Sequence, residues 1–421
     1  MNGSYASHDG VYIHTCRFCA SLLNHIFADL GAAPLSNSYL VPEALSRMEP
    51  FFPLKVFVCE NCKLVQLPEH QSPDAIFSDY AYFSSFSDSW LEHARHYADH
   101  ITEYSGLGKE SYVVEVASND GYLLKYFKEK GIPILGIEPA RNVAEVAQAA
   151  GIPTIVRFFG EETARWLTDS GYHADLLMGN NVLGHVPDIN DFVKGVQILL
   201  KPNGTATFEF PHLLQLMQQN QFDTIYHEHF SYFSFLAAEK IFAAHGLTLF
   251  DVEELSTHGG SLRIYARHAA DNMRAVSARV EDLKQRERDY GFEHMETYAA
   301  FGAQVEETKW KLLEFLIGAR REGKTVVGYG APAKGNTLLN YCGIRSDFIE
   351  YTVDRSPHKQ GRFLPGSRLP IFHPDKIAQT KPDYLLILPW NLREEIIGQM
   401  SFVREWGCRF VVPIPQVEVI E

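Results

Sequence analysis

No run of about 20 consecutive apolar residues occurs anywhere in these 421 residues, so the sequence offers no helix suited to spanning a bilayer. Basic residues are scarce: 38 Lys and Arg stand against 52 Asp and Glu, a net charge of -14. Binding a phosphate backbone needs a basic surface, so no nucleic-acid partner is expected. The first residues, Met1 to Gly10, lack the apolar core of a signal peptide, and the expected location is cytoplasmic. No internal repeat, low-complexity segment or self-association stripe is visible, and a monomer is expected. What remains is ordinary for a soluble globular chain, with 46% hydrophobic and 21% charged residues. The length exceeds one typical core and calls for two or three domains.

Cysteine is also scarce, and its placement is informative. Four of the six cysteines form two pairs, Cys16-x-x-Cys19 and Cys59-x-x-Cys62. In a cytosolic chain such pairs read as metal ligands before disulfides. Each pair supplies one edge of a tetrahedron, and two pairs complete a four-thiolate zinc site. With no open coordination position, that zinc is structural and not catalytic. Free buried thiols and redox pairs are the alternatives. The zinc would stabilise a segment, 1–72, too small to bury much core. Cys342 and Cys408 stand alone and read as buried small hydrophobes.

An aromatic stretch around Tyr80 follows, then a helical pattern through Trp90, Leu91, Ala94 and Tyr97. Strand and helix patterns then alternate. Tyr112 to Ala117, Ile134 to Glu138, Thr154 to Phe158, Ala174 to Asn180 and Gly204 to Phe210 read as strands. Gly121 to Lys130, Val143 to Ala150 and Ile189 to Leu200 read as helices. This alternation predicts an α/β fold, a doubly wound parallel sheet with helices on both faces. A charged helical region spans about 270 to 321. A second alternating unit begins at Lys324, with strands at Thr325 to Tyr329, Phe348 to Val353, Tyr384 to Leu388 and Arg409 to Val412, and a helix at Gly335 to Tyr341.

The first sheet opens with Glu115 on a strand and the turn Ser118-Asn119-Asp120-Gly121. The second strand ends in Gly136-Ile137-Glu138-Pro139, and an acid there is placed to bind ribose hydroxyls. The turn is poorer in glycine than a pyrophosphate fingerprint. It resembles the arrangement in S-adenosylmethionine methyltransferases, although any doubly wound enzyme could carry an acid there. The fourth strand ends at Asn180-Asn181 and leads to His185. Ligands of open parallel sheets sit beyond the carboxyl ends of the strands, so these residues face the same site.

Tyr226-His227-Glu228-His229 is a cluster of titratable groups among aromatic residues. Burying such groups costs free energy, which points to chemistry. His227 and His229 could bind a metal, could be satisfied interior histidines, or one could be a general base. In the last unit, Gly328-Tyr329-Gly330-Ala331-Pro332-Ala333-Lys334-Gly335-Asn336 follows a strand and opens a helix, where backbone amides can hold phosphate. Asp354 ends the next strand. This pattern suits NAD and a nucleoside diphosphate equally.

Together these words, with Pro34-Leu35-Ser36-Asn37 and His258-Gly259-Gly260-Ser261-Leu262-Arg263, resemble the S-adenosylmethionine-dependent sugar C-3'-methyltransferases of deoxysugar biosynthesis over nearly the whole chain. The resemblance implies a zinc-binding domain (1–72), a Rossmann-like methyltransferase domain (73–285) and a second Rossmann-like domain (286–421). It implies a nucleotide-linked 4-keto-6-deoxy sugar, held between the last two domains and methylated at C3. His229 would be the base, with Glu228 orienting it or a substrate group, Tyr226, His185 and Asn181 hydrogen-bonding the sugar or the enolate oxygen, and Tyr80 reaching the cofactor or sugar. Glu115, Ser118, Asn119, Asp120, Gly121, Glu138, Pro139, Asn180 and Asn181 would hold the cofactor. Gly330, Lys334, Asn336, Asp354 and Arg263 would hold the substrate. O- or N-methyl transfer to such a sugar, and an NAD-dependent oxidoreductase, are the alternative activities.

Overall fold

The computed structural model describes residues 6–8, 11–72, 76, 84–86 and 88–421. The chain divides into two compact units. Met1–Leu23, Cys59–His212 and Phe230–Glu293 form the first, and Asn24–Val58, Leu213–His229 and His294–Glu421 the second. Strands are numbered in chain order. β1 (Ala6–His8) and β2 (Val11–Ile13) form a small antiparallel ladder. β3 (His25–Ala33) and β4 (Phe52–Val58) form an antiparallel pair in the second unit, with register shifts between Ile26 and Ala28 and between Asp29 and Ala32. β5 (Val65–Gln66) returns to the first unit.

The first unit is built on a seven-stranded sheet. Its strands are β6 (Val113–Val116), β7 (Ile134–Ile137), β8 (Thr154–Ile155), β9 (Ala174–Asn180), β10 (Leu200–Pro211), β12 (Leu247–Leu255) and β13 (Ser261–His268). The order is β12-β13-β10-β9-β6-β7-β8. β6 to β10 are parallel, and β13 runs against both β10 and β12. All four residues of β6 are buried, as expected for a strand covered on both faces. The helix Asp88–Tyr104 presents Ala94, Tyr97, Ala98 and Ile101 to a core of Val113, Phe127, Leu176, Met178 and Tyr265. That spacing is the apolar stripe of a helix lying on a sheet. Asp188 and Ser234 cap the helices Ile189–Leu199 and Phe235–Ala244, accepting from the backbone N–H of Asp191 and Ala237. β11 (Ser231–Tyr232) pairs antiparallel with β5.

The second unit contains a six-stranded sheet ordered β16-β15-β14-β17-β18-β19. These are Ile371–Phe372, Thr352–Val353, Val326–Tyr329, Tyr384–Ile387, Arg409–Val412 and Glu418–Ile420. All pair in parallel except β19, which runs against β18. The β3–β4 pair packs in this same unit: Phe27 of β3 stacks on Phe301 at 4.6 Å and meets Tyr298 edge-on. The long segment between the two cysteine pairs is thus a folded element of the second unit. Among the described residues no helix is long and apolar enough to cross a membrane.

Candidate functional site

The four paired cysteines converge. Their sulfurs lie within 4.8 Å of one another, with Cys16–Cys62 and Cys19–Cys59 each at 3.5 Å. The two pairs are built alike. Ala20 N–H bonds to Cys16 O and Lys63 N–H to Cys59 O, both at 2.9 Å, and Ala20 and Lys63 both have positive φ. Each turn curls its two thiols toward one point. Gln66 Nε2 donates to Cys16 Sγ at 3.1 Å, a contact that stabilises a thiolate. Four thiolates in one shell suit tetrahedral zinc, and the set leaves no position for substrate.

In the first unit, the turn after β6 carries positive φ at Ala117, Asn119 and Gly121. Gly121 is required: a Cβ there would meet Ile152 Cγ1 at 2.9 Å. Glu138, at the end of β7, accepts from the Asn119 N–H at 2.9 Å and the Ala140 N–H at 2.8 Å. Burial holds its carboxyl above the usual range. Burial raises Glu115 further, with Asp120 and Glu138 adding like charge. Asn119 and Asp120 accept from the backbone N–H groups of Ser84 and Ser85, which ties segment 84–86 to this turn. Tyr80 lies outside the described residues. Around the carboxyl ends of β6 and β9, buried polar atoms of Glu115 (Oε2), Ser118 (Oγ), Asp120 (Oδ1), Asn180 (Nδ2) and Asn181 (Oδ1) have no hydrogen-bond partner among the described residues. Buried polar atoms are normally satisfied, so this cluster fits a polar ligand such as the methionine and ribose parts of S-adenosylmethionine.

Asn181 has positive φ and reaches His258 Nε2 at 3.1 Å. His258 itself has φ 55° and packs against Trp90, whose ring stacks on His93 and Tyr122. Below them Glu209, opposite Asn180 in register, accepts from His93 (2.8 Å), Thr257 (2.8 Å) and Arg263 (2.7 Å). Burial alone would raise this carboxyl, but His93 and Arg263 outweigh it and hold it at about 2. Arg263, expected at the substrate, is instead buried between Glu209 and Glu253, with Tyr97 beneath its guanidinium. A guanidinium so paired serves as counter-ion to a buried carboxylate.

The second unit carries the His-Glu-His segment. His229 Nδ1 lies 2.8 Å from Thr224 O. A carbonyl only accepts, so Nδ1 holds a proton, and in the neutral ring Nε2 is the acceptor. The Tyr226 ring sits 4.0 Å from the imidazole, and both residues are half-buried. His227 points elsewhere: its Nε2 donates to Pro53 O at 3.2 Å, against the edge of Phe52, and burial lowers its pKa. Glu228 is buried and accepts from Asn37 Nδ2 at 2.6 Å. Burial pushes its carboxyl up to about 7.

The Gly-rich turn after β14 lies in the same unit. Gly330 has φ 90°, and a Cβ there would meet Pro389 Cδ at 2.5 Å. Ala331 N–H donates to Asp354 Oδ2 at 2.8 Å, while Tyr39 Oη (2.6 Å) and Lys359 Nζ (2.9 Å) donate to Ala331 O. Lys334 lies over Trp390 and donates to Asn391. The Trp390 indole donates to Asp223, whose carboxyl burial raises to about 6. Asn336 is buried and bonds Ser36 O, so it ties the helix Ala333–Cys342 to the Pro34–Asn37 turn. Sequence reasoning named neither Tyr39, Lys359 and Asp223 nor the supporting pair His93 and Glu209. A buried acid between Phe208 and Phe210 was the one available signal for Glu209.

The sheet order, the acid-lined turn and the four-thiol centre define an S-adenosylmethionine-dependent methyltransferase with a zinc site. A family described as a methyltransferase domain matches residues 90–252. One described as a candidate zinc binding domain matches 16–77, and one described as a C-methyltransferase C-terminal domain matches 256–415. The C-methyltransferase NovU of Streptomyces niveus is 39% identical over 408 residues, 97% of each chain. The chain belongs to this family of C-methyltransferases, and O- or N-transfer and nicotinamide chemistry are set aside. A ubiquinone biosynthesis O-methyltransferase of Azorhizobium caulinodans is 26% identical over 118 residues, 28% of this chain and 45% of that one. Among solved structures, the magnesium protoporphyrin IX methyltransferase of Synechocystis with bound S-adenosylmethionine aligns at a TM-score of 0.32 and 14% identity, over 42% of this chain and 81% of that one.

Proposed function

We propose that this C-methyltransferase acts at C3 of a nucleotide-linked 4-keto-6-deoxy sugar, with His229 as the base. The observation that carries the reading is the His229–Thr224 hydrogen bond, which turns Nδ1 to the carbonyl and so makes Nε2 the acceptor nitrogen of the neutral ring. A proton alpha to a ketone is within reach of a base of that strength when the enolate oxygen is stabilised. Glu228 supplies a stabilising group: Asn37 occupies Oε1, and a carboxyl raised to about 7 keeps a hydroxyl on the other oxygen near neutral pH. That hydroxyl can donate to the sugar or to the developing enolate. Tyr226, against the imidazole, restricts its rotation. Asn181 and His185 would hydrogen-bond the sugar from the carboxyl end of β9. Glu138 would hold the ribose, and Ser118, Asp120 and Asn180 the methionine end, of S-adenosylmethionine, which supplies an electrophilic methyl group for the C3 carbanion. Gly330, Lys334 and Asp354 would hold the nucleoside diphosphate.

The test is the product. The chain is incubated with S-adenosylmethionine and a panel of thymidine and guanosine diphosphate 4-keto-6-deoxy sugars, and any product is solved by NMR. A methyl carbon bonded to C3 is expected. A methyl on oxygen, or no transfer to any keto sugar, overturns the reading.

A further inference from the structure

The first unit contains a chain of contacts that leads from the four-cysteine centre to loop 181–190, which carries Asn181 and His185. Gln66 donates from Nε2 to Cys16 Sγ and accepts on Oε1 from the Arg17 N–H at 2.9 Å. The Arg17 side chain then leaves the knuckle. Its Nη1 donates to Pro187 O at 2.6 Å and its Nη2 to Leu67 O at 2.5 Å, and its guanidinium lies over the Phe230 ring. Asn190 Nδ2 reaches back to Arg17 O and Phe18 O at 3.1 and 3.0 Å, while its Oδ1 meets His245 Nε2 at 2.9 Å. Phe230 closes the ring: its N–H bonds Gly184 O at 2.7 Å and its carbonyl accepts from Leu67 N–H at 2.9 Å. The residue before Phe230 is His229.

A metal needed only for folding asks for no such wiring. Here the cation, between the first two ligands in sequence, is half-buried and its donors hold main-chain carbonyls on both the β5 side and the loop side. Buried charged donors are kept only where their acceptors are fixed, and hydrogen bonds from charged groups are the strong ones. A zinc held by the four thiolates would fix the turn from Cys16 to Cys19, from which Arg17 reaches the backbone at Pro187.

We infer that Arg17 is a positioning residue through which the four-cysteine zinc site fixes loop 181–190 and the start of β11. The coupling itself is independent of the substrate; its effect on turnover rests on the function proposed above.

The test uses the full zinc-loaded chain and an Arg17→Met variant. Hydrogen exchange is followed at the His185 and Phe230 amides, whose acceptors lie in the loop. Zinc stoichiometry and thermal unfolding are measured on the same samples. Arg17→Met is expected to keep one zinc and to exchange at least about tenfold faster at these amides, the effect of losing a charged hydrogen bond. Amides of β6 and β7 should be unchanged. Stripping zinc from the wild type with a chelator should loosen the same loop, and restoring zinc should reverse it. Should Arg17→Met lose its zinc, Arg17→Lys, which keeps the charge and one donor, is judged by the same criteria. Full zinc with wild-type exchange at His185 and Phe230 overturns the coupling. With a turned-over keto sugar, the variant should lower kcat more than it raises KM. Absence of turnover in the wild type refutes the proposed reaction and leaves the exchange result standing.

Discussion

His227 and His229 are two residues apart and make different contacts. Each donates a hydrogen bond to a backbone carbonyl, His227 from Nε2 to Pro53 and His229 from Nδ1 to Thr224. His227 is buried against Phe52, whereas His229 is half-exposed beside Tyr226. His229→Ala should lower kcat by roughly 10²- to 10⁴-fold, the range for a general base. Steady-state kinetics on the folded variant checks this. Glu228 makes a second prediction. Its ordinary value is 4.5, and burial raises it to about 7. Above pH 4.5 the unfolded chain releases this proton while the folded chain keeps it. The group therefore favours the folded state at acid pH, and this contribution declines as pH rises toward about 7. Glu228→Gln should flatten that decline in denaturant titrations between pH 5 and 8, conditions set by these two values. An unchanged slope would show that the proton is not held there.

At the scale of elements, one ring of β3, Phe27, packs against the aromatic residues Tyr298 and Phe301. Phe27, fully buried between Phe301 and Tyr298, should cost about 3 to 5 kcal/mol when replaced by Ala, read as a fall in the denaturant midpoint. Most parallel strands were legible in the sequence because, as in β6 and β14, every residue is buried and the segment is mainly apolar; the two-residue β16 (Ile371–Phe372) is too short to show such a pattern. β3 was not legible. Its Ala, Gly and Asp residues alternate poorly, two bulges break the period, and its packing partners are far along the chain. β12 and β13 were also missed, because the His258-Gly259-Gly260 turn that joins them read as a motif and not as a hairpin. The candidate site was legible where rare residue types sit at turns, as in Glu138 and His229. It was illegible where support comes from a distance, as with Asn37 at Glu228 or Glu209 at Arg263.

At the scale of the whole molecule, the candidate residues divide between the two units. The acid-lined turn after β6 and the four-cysteine knuckles belong to the first, and the His-Glu-His segment and Gly-rich turn to the second. The zinc-ligand sequence flanks β3 and β4, so the metal closes a long loop and should matter beyond its own knuckles. Cys59→Ser should lose zinc and lower the unfolding temperature together; full zinc content in that variant would contradict the four-cysteine centre.

The central claim is that His229 takes the C3 proton. It is tested most directly by incubating the chain in heavy water with a 4-keto-6-deoxy nucleotide sugar and following the C3 proton by NMR. The account predicts that the C3 signal washes out with the wild type and persists with His229→Ala. Methyl transfer to C3 by a His229→Ala variant that still exchanges this proton at the wild-type rate would contradict it.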